Sequence, residues 1–114
     1  MEPRIQEVLN YSLSNLTRKM TLDDACRISK LSRSHFCYLF KKETNLSFIK
    51  FIRKRRIEKA CLMLQDESFL IKEIFFNVGY RDYSNFIHDF KKITNVSPSE
   101  YRKIIKNQID LVHK

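Results

Sequence analysis

The strongest constraint on the fold of this chain is a repeat within its own sequence. Residues 40–47 read FKKETNLS and residues 90–97 read FKKITNVS, so six of the eight positions are identical. The similarity extends upstream, where corresponding apolar residues are Leu22 and Ile71, Ala25 and Ile74, Cys26 and Phe75, and Phe36 and Phe86. Two copies are too few for a solenoid, and they therefore predict two similar structural units with similar outer surfaces.

The apolar residues of each copy have the spacing of short amphipathic helices. Phe36, Leu39 and Phe40 follow the i, i+3, i+4 pattern of one buried helix face. The buried face of the corresponding helix in the second copy is predicted to hold Phe86, Phe90 and Ile93. The chain contains one Gly and two Pro, which is too few turn residues for a chain built from strands. The predicted fold is all-α, with seven helices.

Polar residues mark the ends of the predicted helices. Side chains that cap helix N-termini are expected at Thr21, Ser32 and Asp82. The sequence Ser97–Pro98–Ser99–Glu100 is a capping box with Pro at the first helical position, and it predicts the start of the last helix. The buried face of that last helix is predicted to hold Tyr101, Ile104 and Ile105. Helix ends are expected at Asn45, Gly79 and Asn95.

These signals divide the 114 residues into two helix-turn-helix subdomains of one domain. The first subdomain covers residues 4–47 and the second covers residues 66–106, with a connecting helix at residues 48–65 and a tail at residues 107–114. A connecting helix of about 17 residues is about 25 Å long at 1.5 Å per residue. With the turns at its ends, it could hold two helices about 34 Å apart, which is one turn of DNA.

The charge of the chain favours a polyanionic partner. Lys and Arg number 22 against 13 Asp and Glu, which gives a net charge of +9. Nucleic acid fits such a charge, although a basic surface also serves solubility. No apolar run approaches the roughly 20 residues that a membrane span needs, and the N-terminus lacks the layout of a signal peptide. We therefore expect a cytoplasmic protein with no membrane partner.

The residues that usually form metal and catalytic sites are not grouped in this sequence. Cys26, Cys37 and Cys61 form no C-x-x-C pair, and the three histidines have no ligand spacing with them. The sequence contains no recognisable nucleophile–base pair and no phosphate-binding glycine loop. We expect no cofactor, no metal site and no catalytic residues, and therefore no enzyme.

The second helix of a helix-turn-helix unit enters the major groove with its N-terminal residues toward the base edges. If the phenylalanines of each copy point inward, the opposite face of the same helix points outward. The candidate base-reading residues on these outward faces are Arg33, Ser34, Cys37, Tyr38, Tyr83, Ser84, Asn85 and His88. Asn can pair with adenine and Arg with guanine, so Asn85 is the foremost candidate unless its side chain caps its own helix.

Basic residues near these faces are candidates for contacts to DNA phosphates. The candidate phosphate contacts are Lys41, Arg53, Arg55 and Lys91. Arg53 and Arg55 belong to a run of four basic residues that circles the connecting helix, so we expect only one or two contacts from that run. Lys41 and Lys91 lie near helix C-termini, where a positive charge also complements the helix dipole.

The residues around the second copy also form a recognisable signature. It comprises Ile74–Tyr80, Asp82, Ser84, Phe86, Phe90–Lys92, Ser97–Pro98 and Tyr101–Arg102, with Arg56–Ile57, Ala60 and Met63–Leu64 on the connecting helix. This signature resembles the AraC/XylS family of bacterial transcription regulators, over residues 21–102. The resemblance implies a seven-helix domain, two reading helices in adjacent major grooves, and promoter activation through RNA polymerase.

The resemblance also assigns reading positions, and the chain departs from the family pattern at some of them. By motif position, the reading residues are Ser34, Cys37 and Tyr38 in the first helix and Tyr83, Ser84, Asn85 and His88 in the second. The family often has Gly or another small residue where this chain has Lys30. It usually has Gln, Arg or similar groups at several reading positions, two of which are Cys37 and Tyr38 here, and often Arg at the position of His88.

The predicted function is sequence-specific binding of double-stranded promoter DNA for transcription regulation, with activation as the family default. RNA polymerase is an expected second partner, and the isolated domain is expected to be monomeric. The alternative is a helical protein-interaction module that has lost DNA reading, and the weakly polar set Ser34, Cys37 and Tyr38 motivates it. The sequence is compatible both with a short regulator and with the C-terminal domain of a longer one.

Overall fold

The computed structural model describes residues 1–112, whose regular structure is entirely α-helical. The helices are α1 Pro3–Ser14, α2 Leu22–Ser29, α3 Arg33–Thr44, α4 Phe48–Leu64, α5 Ile71–Asn77, α6 Tyr83–Thr94 and α7 Pro98–Val112. The prediction of an all-α fold with seven helices is confirmed. The chain divides into two compact units at residues 55 and 56, within α4.

The first unit packs α1, α2 and α3 with the first half of α4 around a core of aromatic rings. Phe36 and Phe40 are completely buried, and their ring centroids are 5.5 Å apart. Phe48 meets both rings edge-on at 5.7 and 5.4 Å, and Phe51 meets Phe40 in the same way at 5.5 Å. Such edge-to-face pairs add to the free energy gained from burying the rings. The core therefore fixes which face of α3 points inward.

The second unit repeats this arrangement with α5, α6, α7 and the second half of α4. Phe86 and Phe90 are completely buried, with ring centroids 5.8 Å apart. Tyr80 meets Phe86 edge-on at 5.4 Å, and Tyr101 of α7 meets Phe90 edge-on at 5.7 Å. The phenylalanine pair of α6 thus has the same role as the pair of α3, as the sequence repeat predicts.

The repeated sequence also ends α3 and α6 in the same way. Asn45 and Asn95 adopt left-handed conformations with φ of 65° and 70°, and each terminates its helix as predicted. The hydroxyl of Thr44 lies 2.8 Å from the Phe40 carbonyl oxygen and 3.0 Å from the Leu46 carbonyl oxygen. Thr94 makes the equivalent pair of contacts at the same distances. Asn tolerates the left-handed region better than most residues, which explains its position in both copies.

The turns inside the two helix-turn-helix units differ in residue type. Gly79 has φ of 103°, as expected of a residue that ends a helix. In the first unit the corresponding turn uses Lys30, which ends α2 with φ of 59°. A residue with a Cβ atom in this conformation costs about 1 kcal/mol relative to the ordinary helical region. The first turn therefore keeps its left-handed geometry without a glycine.

In the second unit, the structure differs from the sequence-based prediction in two places. Residues 107–112, predicted as a tail, form the last turns of α7, because Ile105 and Ile109 continue the helical spacing and no Gly or Pro interrupts it. His113 and Lys114 lie outside the described residues. Ile93 and Ile104, predicted to be buried, are 41% and 43% exposed, since they lie at the edges of their apolar stripes.

Arg102 joins α7 to the segment that precedes α5. Its Nε donates to the carbonyl oxygen of Leu64 at 3.0 Å, at the C-terminus of α4. Its Nη2 donates to the carbonyl oxygens of Asp66 at 3.2 Å and Phe69 at 2.7 Å. The last carbonyl groups of a helix have no partner within the helix, so this guanidinium completes the end of α4 and fixes the loop after it.

We predict that Arg102→Lys lowers the free energy of unfolding by about 1–3 kcal/mol, because an ammonium group cannot reproduce the planar fork that reaches these carbonyl groups. Lys103→Ala, at an exposed position of the same helix, is the matched control and should change stability little. Urea denaturation followed by circular dichroism measures both. Equal stabilities of the two variants would contradict this role of Arg102.

Candidate nucleic-acid interface

Side-chain caps fix the N-termini of α3 and α6, where the candidate reading residues lie. The hydroxyl of Ser32 accepts the backbone N–H of His35 at 3.2 Å. The Oδ1 atom of Asp82 accepts the backbone N–H groups of Ser84 at 2.8 Å and Asn85 at 3.2 Å. Both caps were predicted, and each satisfies N–H groups that the helix itself leaves unpaired. The carboxylate of Asp82 also complements the positive end of the α6 dipole.

The outward face of α3 contains the four base-reading candidates of the first copy. Arg33, Ser34, Cys37 and Tyr38 are all exposed, and Tyr38 is 63% exposed. Spacings of three and four residues place Ser34, Cys37, Tyr38 and Lys41 on one face. This face offers a hydroxyl, a thiol, a phenol and an ammonium group to a partner.

Two of these residues already have partners on the surface of the first unit. The Nη2 atom of Arg33 lies 3.2 Å from Oδ1 of Asp23 on α2, and both side chains are mostly exposed. The ammonium group of Lys42 lies 5.9 Å from the centre of the Tyr38 ring. Exposed ion pairs contribute only about 0–1 kcal/mol, so the pair with Asp23 leaves Arg33 able to exchange partners.

The outward face of α6 is more polar than that of α3. Ser84, Asn85 and His88 are exposed and lie on one face, because residues three and four positions apart are neighbours on a helix. The cap of α6 comes from Asp82, and the exposed amide of Asn85 lies on this outward face.

Tyr83 differs from the other candidates because its ring packs onto the core of the second unit. The ring meets Phe75 edge-on at 5.4 Å and lies 6.3 Å from Phe86, although 44% of the residue is exposed. The packing restricts the movement of the ring. Only the exposed part of Tyr83 is available to a partner, so this residue has both a structural contact and an outward surface.

The four candidate phosphate contacts are all exposed. Lys41 and Lys91 lie in the last turns of α3 and α6. Arg53 and Arg55 lie on the part of α4 that belongs to the first unit, and the Arg55 guanidinium lies 5.2 Å from the centre of the Phe51 ring. Arg56, the next residue, is partly buried over the Tyr80 ring at 5.8 Å, and burial lowers its pKa. The basic run therefore divides between exposed residues and one that packs inward.

Comparisons with known proteins agree with this geometry. A family described as "Helix-turn-helix domain" matches residues 25–104. An uncharacterized HTH-type transcriptional regulator, YdeC of Bacillus subtilis, is 32% identical over 89% of this chain and 35% of its own length. The lactose operon transcription activator of Staphylococcus xylosus is 33% identical over 86% of this chain and 35% of its own length. The chain thus spans about a third of these curated relatives.

Solved structures show the same fold. The C-terminal domain of AraT, a response regulator from Geobacillus stearothermophilus, has a TM-score of 0.85 and 30% identity, and the match covers 90% of this chain and 86% of that domain. The DNA-binding domain of the global transcriptional factor AdpA, solved with a target DNA, has a TM-score of 0.87 at 19% identity, covering 92% of this chain and 95% of that one.

The chain belongs to the AraC-type helix-turn-helix family. This is a family of DNA-binding transcription regulators and not of enzymes. The resemblance that the signature around α5 and α6 indicated is therefore confirmed. In this chain, the two helix-turn-helix units are α2–α3 and α5–α6. They are the two similar units that the internal repeat predicted.

The second unit of this AraC-type domain contains a polar contact that the sequence analysis missed. The hydroxyl of Tyr80 donates to Oδ2 of Asp89 at 2.7 Å, and Oδ1 of the same carboxylate lies 3.4 Å from Nδ1 of His88. The spacing of nine residues between Tyr80 and Asp89 follows no helical or strand period. Only the packing of the turn against α6 brings these two side chains together.

The three cysteines of the domain are free thiols. Burial raises the pKa of Cys26, with a smaller contribution from Cys37, and burial also raises the pKa of Cys61. Cys26 and Cys61 are therefore protonated at neutral pH, and a protonated thiol is a poor nucleophile and metal ligand.

Residues 1–112 contain no group of three or more His, Cys, Asp or Glu that could hold a metal ion. None of the helices in this range is long and apolar enough to cross a membrane.

We predict that Asp82→Ala lowers the free energy of unfolding by about 1 kcal/mol, because two backbone N–H groups at the start of α6 lose their acceptor. Thermal or urea denaturation measures the effect. Asp110→Ala, at an exposed position near the C-terminus of α7, is a matched control that removes a carboxylate without removing a cap. If the two variants are equally stable, the capping role of Asp82 is disproved.

Proposed function

We propose that this chain binds a specific double-stranded DNA sequence and regulates transcription through it, with α3 and α6 as reading helices in successive major grooves. The observation that carries this proposal is the equivalence of the two helices. Each is capped at its N-terminus, anchored by two buried phenylalanines, exposed along its polar face and basic in its last turn. A major groove accepts a helix with this distribution of groups.

The reading residues follow from the chemistry of the exposed groups. The Asn85 amide can donate to and accept from adenine, and the Arg33 guanidinium can donate to guanine once it leaves Asp23. Ser34, Ser84 and the exposed part of Tyr83 can reach bases or phosphates. Cys37 and Tyr38 offer fewer hydrogen bonds, so we propose that α3 contributes less sequence discrimination than α6.

The phosphate contacts are proposed to come from the exposed basic residues beside these faces. These residues are Lys41, Arg53, Arg55 and Lys91. Contacts to phosphates position a protein on the duplex and supply affinity without sequence information. The net charge of +9 supports such a contribution, because each neutralised phosphate releases counterions.

Activation of transcription is the proposed direction of regulation, with RNA polymerase as the second partner. The support is the name of one relative, the lactose operon transcription activator, together with family membership. The two reading faces differ in residue content, so one chain can recognise an asymmetric site without a second copy, and the isolated chain is proposed to act as a cytoplasmic monomer.

The competing proposal is a protein-interaction module that keeps the fold without reading DNA. The observation that favours it is the α3 face, where Cys37 and Tyr38 provide a thiol and an aromatic ring at two reading positions. An exposed ring and a thiol suit a protein surface as well as a groove. Under this proposal the chain would bind duplex DNA weakly and without sequence preference.

Selection of the purified chain against random duplex DNA separates the two proposals. The DNA-binding proposal expects an enriched motif with two parts about one helical turn apart, since each reading helix would contribute one part. Enrichment of the α6 part alone would show that α3 docks without reading. Recovery of no motif, with duplex binding at low salt that is weak or absent, would overturn the proposal in favour of the interaction module.

We predict that Lys91→Gln and Arg55→Gln each weaken binding to all duplexes to a similar degree. Each should reduce the slope of log K against log salt by about one, because each removes one phosphate contact. Fluorescence anisotropy at several salt concentrations measures the slope. Lys103→Gln removes the same charge from an exposed position on α7 and is the matched control. A slope that changes as much in the control as in the two variants would contradict the proposed contacts.

A further inference from the structure

Asp89 is a nearly buried carboxylate behind the reading face of α6. Its side chain is 13% exposed, whereas that of the adjacent His88 is 75% exposed. Oδ2 of Asp89 accepts the Tyr80 hydroxyl at 2.7 Å, and the Tyr80 ring is buried against Phe86 at 5.4 Å. The Arg56 guanidinium lies over the same Tyr80 ring at 5.8 Å. The carboxylate is therefore held by groups that belong to the core of the second unit.

The second carboxylate oxygen faces the histidine ring. Oδ1 of Asp89 lies 3.4 Å from Nδ1 of His88. A carboxylate oxygen accepts hydrogen bonds and donates none, so this contact favours the tautomer with the proton on Nδ1. The hydrogen bond made by one ring nitrogen determines the role of the other nitrogen. In the neutral ring, Nε2 then carries a lone pair and acts as an acceptor.

His88 shares the exposed face of α6 with Ser84 and Asn85, so its ring belongs to the surface that would meet base edges. In the major groove the hydrogen-bond donors are the exocyclic amino groups, N6 of adenine and N4 of cytosine. The keto oxygens, O6 of guanine and O4 of thymine, are acceptors at the equivalent positions. An acceptor at Nε2 pairs with the amino groups and not with the keto oxygens.

We infer that Tyr80 and Asp89 set the tautomer of His88, and that His88 thereby selects an amino-bearing base, adenine or cytosine, at one position of the DNA site. Asp89 is a positioning residue in this inference, because it acts on DNA only through His88. The inference rests on the proposed function. It assigns a specificity role to two residues that lie behind the reading face and offer no group to the base.

Asp89→Asn is the variant that tests the tautomer directly. The Tyr80 hydroxyl donates to the amide oxygen of the variant, which leaves the amide NH2 group facing Nδ1 of His88. That group is a donor, so it favours the tautomer with the proton on Nε2. The outward nitrogen becomes a donor, which can pair with a keto oxygen or with N7 of a purine. The preference at the same position of the DNA should change from an amino base toward the keto bases, with cytosine as the most disfavoured base.

The first measurement is the tautomer itself, read from long-range ¹H–¹⁵N NMR spectra of the free chain at pH 8. Histidine side chains are usually neutral at that pH. We expect the proton on Nδ1 of His88 in the wild-type chain and on Nε2 in Asp89→Asn. The same tautomer in both chains would overturn the inference, and this readout does not depend on DNA binding.

The second measurement uses the selected duplex with each of the four base pairs at every position, again at pH 8. We expect one position where the wild-type chain prefers an amino base by about five- to tenfold, where Asp89→Asn prefers a keto base, and where His88→Ala has no preference. Tyr80→Phe, which removes the hydroxyl that donates to Oδ2 and keeps the carboxylate, should weaken the preference without reversing it. Circular dichroism confirms the fold of each variant.

The outcomes separate the inference from the proposed function. A wild-type chain that selects no motif contradicts both. A normal two-part motif whose preferences are the same in the wild type and Asp89→Asn contradicts the inference alone. The inference is also overturned if His88→Ala keeps the amino-base preference, and this exposed substitution tests it even if Asp89→Asn fails to fold.

Discussion

Two pairs of buried phenylalanines, four residues apart on α3 and on α6, determine the rest of this structure. Phe36 and Phe40 fill the core of the first unit, and Phe86 and Phe90 fill the core of the second, all with no exposed surface. Truncating such a ring to alanine typically costs about 3–5 kcal/mol, so the rotation of each helix about its axis is strongly fixed. The outward face of each helix follows from that rotation, because a helix buried on one side presents the opposite side to solvent.

Polar residues at the helix ends fix the length of α3 and α6, whereas the buried rings fix their rotation. Ser32 and Asp82 set the first residues of α3 and α6, and Asn45 and Asn95 set the last. Each helix therefore has a fixed rotation and a fixed length, and its exposed side chains start from defined backbone positions. A binding surface gains affinity from such preorganisation, because fewer groups must be ordered when the partner arrives. The two faces therefore differ in their side chains while their backbone positions are equivalent.

Local rules explain why so much of the fold could be predicted from the sequence. Caps, apolar spacing and the internal repeat depend on residues within one or two turns of each other, and they correctly predicted the seven helices and the ends of α3 and α6. The outward position of the candidate reading residues followed from the phenylalanine spacing alone. The burial of Ile93 and Ile104 was predicted wrongly, since spacing defines the centre of an apolar stripe better than its edges.

Contacts between distant residues could not be predicted in this way. Arg102 caps the end of α4 from α7, and Tyr80 holds Asp89 from the turn before α6. Neither pair has a spacing that a periodic pattern reveals, and each depends on how three elements pack. The same limit applied to Arg33, whose surface partner Asp23 lies on a different helix. The sequence predicted which residues are exposed, whereas only the structure identified the side chains that contact and orient them.

We propose that one chain presents α3 and α6 together to one duplex. Hydroxyl-radical and guanine-methylation interference footprints of a duplex selected by the purified chain test it most directly. We predict two protected regions on the same side of the duplex, separated by about 10 base pairs, and we expect that guanine methylation in the major groove of these regions blocks binding. A single protected region, or guanine methylation in the major groove that leaves binding unchanged throughout both regions, would contradict it.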